Sequence, residues 1–137
     1  MWWIFALLSA LFAALTAIFA KIGIKNVDTD LATAIRTVVI LILAWAIVFF
    51  RGGINSIGTL TKHNLLFLGL SGVATGLSWI FYFKALQIGK VSQVAAVDKL
   101  SVALAIIFSI VFLGETISMK VAIGALCIIA GTIIIIF

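Results

Sequence analysis

The pattern of apolar and polar positions divides the chain into five long apolar stretches separated by short polar breaks. Each stretch holds about 20 residues. A helix of that length just crosses a hydrocarbon core about 30 Å thick, because it rises about 1.5 Å per residue. The stretches are Trp2–Ala20, Leu31–Phe50, Leu65–Leu86, Val94–Gly114 and Met119–Phe137. The pattern therefore predicts an all-α, polytopic membrane protein with five transmembrane helices in one domain, residues 1–137.

The amino-acid composition agrees with this pattern and excludes other classes of protein. Hydrophobic residues make up 66% of the chain and charged residues 9%, which excludes a soluble globular domain. The net charge of +5 is spread over the polar breaks rather than gathered in one patch. We therefore expect contact with membrane lipid and no nucleic-acid partner. Proline is absent, so interruptions of the helices are expected only at glycines.

The sequence offers no arrangement typical of an enzyme. It contains neither a nucleophile with a nearby base nor a phosphate-binding loop, and its lone histidine has no companion ligands. Cys127 lies inside the last apolar stretch, where we interpret it as a packing residue. We expect no catalytic residues, no metal site and no cofactor.

The distribution of basic residues bears on how the chain inserts into the membrane. An odd number of spans puts the two ends on opposite sides. Basic residues next to the breaks number three on the side of the N-terminus and four on the other side. Orientation follows the Lys/Arg bias, so a bias this small predicts insertion in both orientations. The first apolar stretch has no preceding Lys or Arg and is not expected to be a cleaved signal.

The strongest candidate site is formed by Asp98, Lys99 and Ser101 in the fourth apolar stretch. Asp98 is expected about six residues inside its helix, a depth at which an ionisable side chain is costly unless paired or hydrated. Asp98 and Ser101 share one face of a continuous helix. Arg36 lies at a similar depth in the second stretch and is the expected cross-helix partner of Asp98. The alternative is a structural salt bridge, with Lys99 and Arg36 reaching toward the headgroups.

A stripe of hydroxyl groups follows one face of the third apolar stretch. Its members are Ser71, Thr75, Ser78 and Tyr82, spaced four, three and four residues apart, with Trp79 beside them. This spacing predicts that they line a water-filled cavity and contribute to substrate binding. The alternative is that these hydroxyls and the neighbouring Gly72 and Gly76 only bind adjacent helices.

Six short segments, taken in chain order, carry a family resemblance. They are Trp2–Ala10, Ala20–Gly23, Leu31–Thr37, Gly76–Leu86, Asp98–Ser101 and Phe112–Glu115. Together they resemble the EamA-type branch of the drug/metabolite transporter superfamily, and the resemblance covers essentially the whole chain. It implies a multi-pass transporter of small metabolites in a cell membrane, which we expect to be the inner membrane of a bacterium or archaeon.

The resemblance also implies an architecture. Common members of the family have ten helices arranged as two inverted halves around a central cavity, and this chain resembles one half. With the near-balanced charge, this predicts an antiparallel homodimer that works by alternating access. The excess of Arg36 and Lys99 over Asp98 favours a small-molecule substrate with an anionic group, such as an amino acid or organic acid.

The sequence is also compatible with two other functions. One is a non-transporting membrane subunit whose buried charges only fix helix pairing, and the other is a small multidrug-type exporter. The chain differs from the four-helix small multidrug branch by its fifth span and by the absence of an acidic residue in the first span. Proton coupling through a first-helix glutamate is therefore not carried over.

Overall fold

The computed structural model describes every residue from Met1 to Phe137 and contains helices but no strands. The α-helices are α1 (Trp2–Gly23), α2 (Thr29–Phe50), α3 (Lys62–Ile88), α4 (Val91–Asp98), α5 (Leu100–Leu113) and α6 (Met119–Ile136), with a 3₁₀ helix (Gly53–Thr59) between α2 and α3. Taken together, α4 and α5 form one apolar segment, so five segments are long and apolar enough to cross a membrane. The predicted all-α, five-span fold is confirmed.

Local side-chain and backbone chemistry explains where two of the helices begin or end. Asp28 caps α2, because its Oδ1 accepts hydrogen bonds from the backbone N–H groups of Asp30 (3.0 Å) and Leu31 (2.9 Å). These donors have no partner within the first helical turn. Gly114 follows α5 with a φ of 66°, a left-handed conformation that glycine adopts without steric cost. The apolar segments therefore stop sharply at the polar breaks.

The chain separates into two compact units. One consists of Met1–Phe19 and Ile88–Phe137, and the other of Ala20–Gln87. In the first unit, α6 packs against both α4 and α5, and Ala103 and Thr132 are among its buried residues. Most large apolar side chains elsewhere are exposed, as expected for a chain whose surroundings are hydrocarbon rather than water.

Polar bonds at helix ends join the parts of the second unit. Lys21 Nζ donates to the carbonyl oxygen of Leu86, near the end of α3, where the last carbonyls lack helical partners. In the other direction, Gln87 Nε2 donates to the carbonyl oxygen of Val27 at 3.0 Å. The two bonds therefore connect the end of α1 and the turn that follows it with the end of α3.

The fourth apolar segment is not a continuous helix. α4 ends at Asp98 and α5 begins at Leu100, with Lys99 in a turn between them. The N–H of Lys99 bonds to the carbonyl of Ala96 (3.1 Å), and the N–H of Val102 bonds to the carbonyl of Lys99 (3.0 Å). Both bonds close tighter, 3₁₀-type turns. The expectation of an uninterrupted helix here is wrong, because such tightening requires neither proline nor glycine.

Candidate functional site

An arginine on α2 lies against two aromatic rings of α3. The guanidinium carbon of Arg36 is 4.2 Å from the centre of the Trp79 ring and 5.2 Å from that of Phe83. Trp79 and Phe83 are one helical turn apart and therefore share a face of α3. At these distances the ring faces attract the cation. The aromatic contact thus holds a half-buried positive charge about two turns into a membrane-crossing helix.

The positive charge of Arg36 is not balanced by a carboxylate of its own unit. The ion pair of this unit joins Lys84 Nζ to Asp30 Oδ1 at 3.4 Å, and both of these side chains are more than half exposed. No carboxylate of the unit lies within ion-pair distance of Arg36. The guanidinium presents a planar fork of N–H donors that matches the two oxygens of a carboxylate. Arg36 therefore has the chemistry of an anion-binding residue.

A second charged group lies at the interruption of the fourth segment. Lys99 Nζ is 3.2 Å from Asp98 Oδ2. Lys99 itself lies in the turn between α4 and α5. Ser101 stands exposed at the start of α5. The expected pairing of Arg36 with Asp98 joins residues of the two units and stays a prediction.

A threonine on α6 belongs to the same group and was not among the predicted site residues. Thr132 is only 4% exposed. Its hydroxyl lies 3.1 Å from the carbonyl oxygen of Ala96 in α4 and 2.8 Å from that of Ile128 in its own helix. The sequence did hold a signal, because Thr132 is the only hydroxyl-bearing residue of α6, which is otherwise apolar after Lys120.

The predicted hydroxyl stripe lies on an open face of α3. Ser71, Thr75 and Ser78 are exposed, while Trp79 and Tyr82 are half-buried. The Thr75 hydroxyl donates to the carbonyl oxygen of Ser71 at 2.8 Å, a bond within the helix.

The glycines beside this stripe are open as well. A Cβ added at Gly72 or Gly76 would meet no atom within 4 Å. These glycines therefore make no close helix contact within the chain.

Five segments long and apolar enough to cross a membrane define a polytopic membrane protein. The chain belongs to the EamA-like transporter family, whose profile matches residues 1–137. The predicted family is thereby confirmed.

Two known proteins are similar to the chain over most of its length. The chain is similar to a Sinorhizobium protein named "uncharacterized transporter in cobO 3'region", at 47% identity over 133 residues, which cover 97% of this chain and 94% of that protein. It is also similar to human solute carrier family 35 member G1, at 33% identity over 127 residues, which cover 91% of this chain and 34% of the human protein. No solved structure matches the chain.

Proposed function

We propose that the chain is a secondary transporter that moves small solutes with an anionic group across a bacterial or archaeal inner membrane by alternating access. Membership of a transporter family supports the transport step. The main observation in favour of an anionic substrate is the position of Arg36. Its charge lies inside a membrane-crossing helix and has no carboxylate partner in its unit. A charge in that position is costly unless it serves a pathway or binds a partner.

In this proposal, the substrate's anionic group binds the edge of the Arg36 guanidinium. Trp79 and Phe83 contact its face, so the N–H donors at the edge remain available. The Asp98–Lys99 pair and Ser101 contribute polar groups at an interrupted helix. Interrupted helices at membrane depth are tolerated where they are buried in protein or line a water-filled cavity. The α3 hydroxyls of Ser71, Thr75, Ser78 and Tyr82 complete the proposed path.

We further propose that two copies assemble as an antiparallel homodimer. Two observations support this arrangement: the near-even Lys/Arg distribution, and the open polar face of α3 with Ser71, Thr75 and Ser78 exposed on it. Hydroxyl groups facing hydrocarbon are unfavourable, so this face is expected to meet water or a second copy. An inverted pair of units around a midplane site is a common design in transporters.

The proposed function is tested by reconstituting the purified chain alone into liposomes. Radiolabelled acetate, benzoate, L-leucine and L-glutamate form the anionic panel, choline is the cationic comparison, and empty liposomes are the control. We expect counterflow of at least one carboxylate and none of choline. Choline flux without carboxylate flux would contradict the anionic substrate. No flux of any probe would favour the non-transporting subunit instead.

The antiparallel arrangement has its own test. Reporters fused to the C-terminus should be active on both sides of the membrane, because the Lys/Arg bias barely selects one orientation. Two lysines added at either end should then lock a single orientation. A wild-type chain found in one orientation only would contradict the dual-topology dimer.

A further inference from the structure

The hydroxyl of Thr132 has two acceptors within reach but only one hydrogen to give. The carbonyl oxygen of Ile128 lies at 2.8 Å in its own helix, and that of Ala96 lies at 3.1 Å in α4. The bond to Ile128 is the usual contact of a helical threonine with the preceding turn. When the bond to Ala96 breaks, the hydroxyl still has a partner. Its separation from α4 therefore leaves no buried donor unsatisfied.

The bond between helices reaches α4 at its interruption. The carbonyl oxygen of Ala96 also accepts the N–H of Lys99 at 3.1 Å, in the tight turn that ends α4. A carbonyl oxygen has two lone pairs, so it can accept both donors. Asp98 projects from this same short piece of backbone and pairs with Lys99 at 3.2 Å. A restraint on the Ala96 carbonyl is therefore a restraint on the ion pair.

We propose that Thr132 is a positioning residue for Asp98. Its hydroxyl holds α4 at the interruption and so orients the Asp98–Lys99 pair, and transfer of its hydrogen bond to Ile128 frees α4 from α6 during the transport cycle. Thr132 is buried between helices, so it acts through the backbone of α4 and not by touching solute. The functional part of this inference rests on the proposed function, in which Asp98 belongs to the substrate path.

The first test measures the structural connection without any substrate. Thr132→Val keeps the shape of the side chain and removes the donor, whereas Thr132→Ser keeps the donor. In hydrogen–deuterium exchange on the purified chain, Thr132→Val should speed exchange of residues 96–102 about fivefold, the effect of one hydrogen bond. Thr132→Ser should stay within about twofold of wild type. Unchanged exchange in Thr132→Val would overturn the inference.

Thr37 supplies a matched control for this experiment. Its hydroxyl donates to the carbonyl oxygen of Thr33 at 2.8 Å within α2 and makes no bond to another helix. Thr37→Val therefore removes the same kind of hydroxyl, and exchange of residues 96–102 should not change. If Thr132→Val does not fold, Thr132→Cys, a weak donor of similar size, replaces it in the comparison.

The second test asks whether Thr132 acts through Asp98. In liposomes with the carboxylate panel, Thr132→Val should raise KM about fivefold, and Thr132→Ser should restore it. In an Asp98→Asn background, Thr132→Val should add no further change, because the two residues act in series. A merely structural role would lower the yield of folded protein and leave KM unchanged. An unchanged KM, or full additivity with Asp98→Asn, would overturn the inference.

The two tests separate failure of the proposed function from failure of this inference. If wild type moves none of the carboxylates, the proposed function falls, whereas faster exchange in Thr132→Val still supports the role of Thr132 in holding α4. If exchange is unchanged while wild type transports normally, the proposed function stands and Thr132 is not a positioning residue.

Discussion

The two units accommodate charge inside membrane-crossing segments in different ways. In the unit Ala20–Gln87, Arg36 stands on a regular helix against aromatic rings, and its charge is not balanced by a carboxylate of that unit. In the other unit, Asp98 is balanced by its own neighbour, Lys99, at a helix interruption. The first arrangement leaves a net charge for a ligand to balance. The second has no net charge as it stands, and presents a net charge to a ligand only when the pair separates.

This difference predicts distinct tasks for the two groups. A standing positive charge selects the sign of the substrate, so Arg36 is expected to govern which solutes bind. A self-neutralised pair selects no sign, but it can exchange partners when a solute or a movement of α4 separates its members. Asp98 is therefore expected to affect the rate and affinity of transport more than the charge class of the solute.

The largest expected effect comes from removing the charge of Arg36. Arg36→Gln should reduce carboxylate counterflow about a hundredfold, since charge-assisted hydrogen bonds contribute about 1.5–3 kcal/mol. Arg36→Lys should lose about tenfold, because an ammonium lacks the planar fork. Arg51→Lys, at an exposed position just after α2, is the matched control and should transport normally. Wild-type flux in Arg36→Lys would show that the fork does not bind the substrate.

Removing the charge of Asp98 should have the next largest effect. Asp98→Asn leaves Lys99 unbalanced and should lower flux about tenfold, within the range for loss of a hydrogen-bonded charge. The protein should still fold, because the side chains of the pair are 37% and 58% exposed. Solvent screening then limits the contribution of the pair to stability. Flux and gel-filtration profiles measure the two properties separately.

Asp30 provides the matched control for Asp98. It also pairs with a lysine, Lys84, at 3.4 Å, but both side chains are more than half exposed. Exposed pairs contribute about 0–1 kcal/mol, so Asp30→Asn should change flux less than twofold. Equal effects of Asp30→Asn and Asp98→Asn would mean that the helix interruption gives Asp98 no special role.

The aromatic contact of Arg36 should have a smaller effect than its charge. Trp79→Leu removes the ring and should lower carboxylate affinity about fivefold, within the 0.5–2 kcal/mol range of cation–π contacts. Trp79→Phe should retain most of it. Trp45→Leu is the control, because Trp45 lines an apolar crevice beside Gly53 and Ile57. If Trp79→Leu and Trp45→Leu behave alike, the ring does not orient Arg36.

Much of the fold was readable from the sequence, because apolar stretches of membrane-spanning length depend on composition and length alone. The sequence also drew attention to Arg36, Asp98 and Trp79, since ionisable and aromatic groups within spans are conspicuous, and their roles in a site stay predictions. The contact of Arg36 with Trp79 was not predicted. The sequence pointed to Asp98 as the partner of Arg36, and that pairing stays a prediction. Periodicity shows which residues of one helix share a face, but it carries no information about which face of another helix they contact.

The interruption at Lys99 was hidden for a different reason. Neither proline nor glycine marks it, and the side chain that bonds to Ala96 there is Thr132, on a different helix. A local pattern carries no information about a hydrogen bond that comes from another helix. The lone hydroxyl of an apolar helix was the available signal, and in a membrane such a hydroxyl must find an acceptor.

The smallest expected effect concerns the open face of α3 and asks whether Arg36 faces the same water as the hydroxyl stripe. Single cysteines at positions 71, 75, 78 and 82, in a Cys127→Ser background, should react with a membrane-impermeant thiol reagent, because reaction requires thiolate and thiolate forms where water reaches. Labelling should be strongest at positions 78 and 82. Ile80→Cys, on another face of α3, should stay inert.

The decisive comparison is between Ser78→Cys and Leu77→Cys. Both residues are exposed on the surface of the single chain, Leu77 at 52%. Exposure alone therefore predicts equal labelling, whereas a water-filled path on the Ser78 side predicts a reactive position beside an inert one facing lipid. Acetate should slow labelling of Ser78→Cys, and Arg36→Gln should remove that protection if Arg36 binds the carboxylate in this path. Equal labelling of the two positions, or protection by acetate that persists in Arg36→Gln, would separate the hydroxyl stripe from the charge of Arg36 and place the pathway elsewhere.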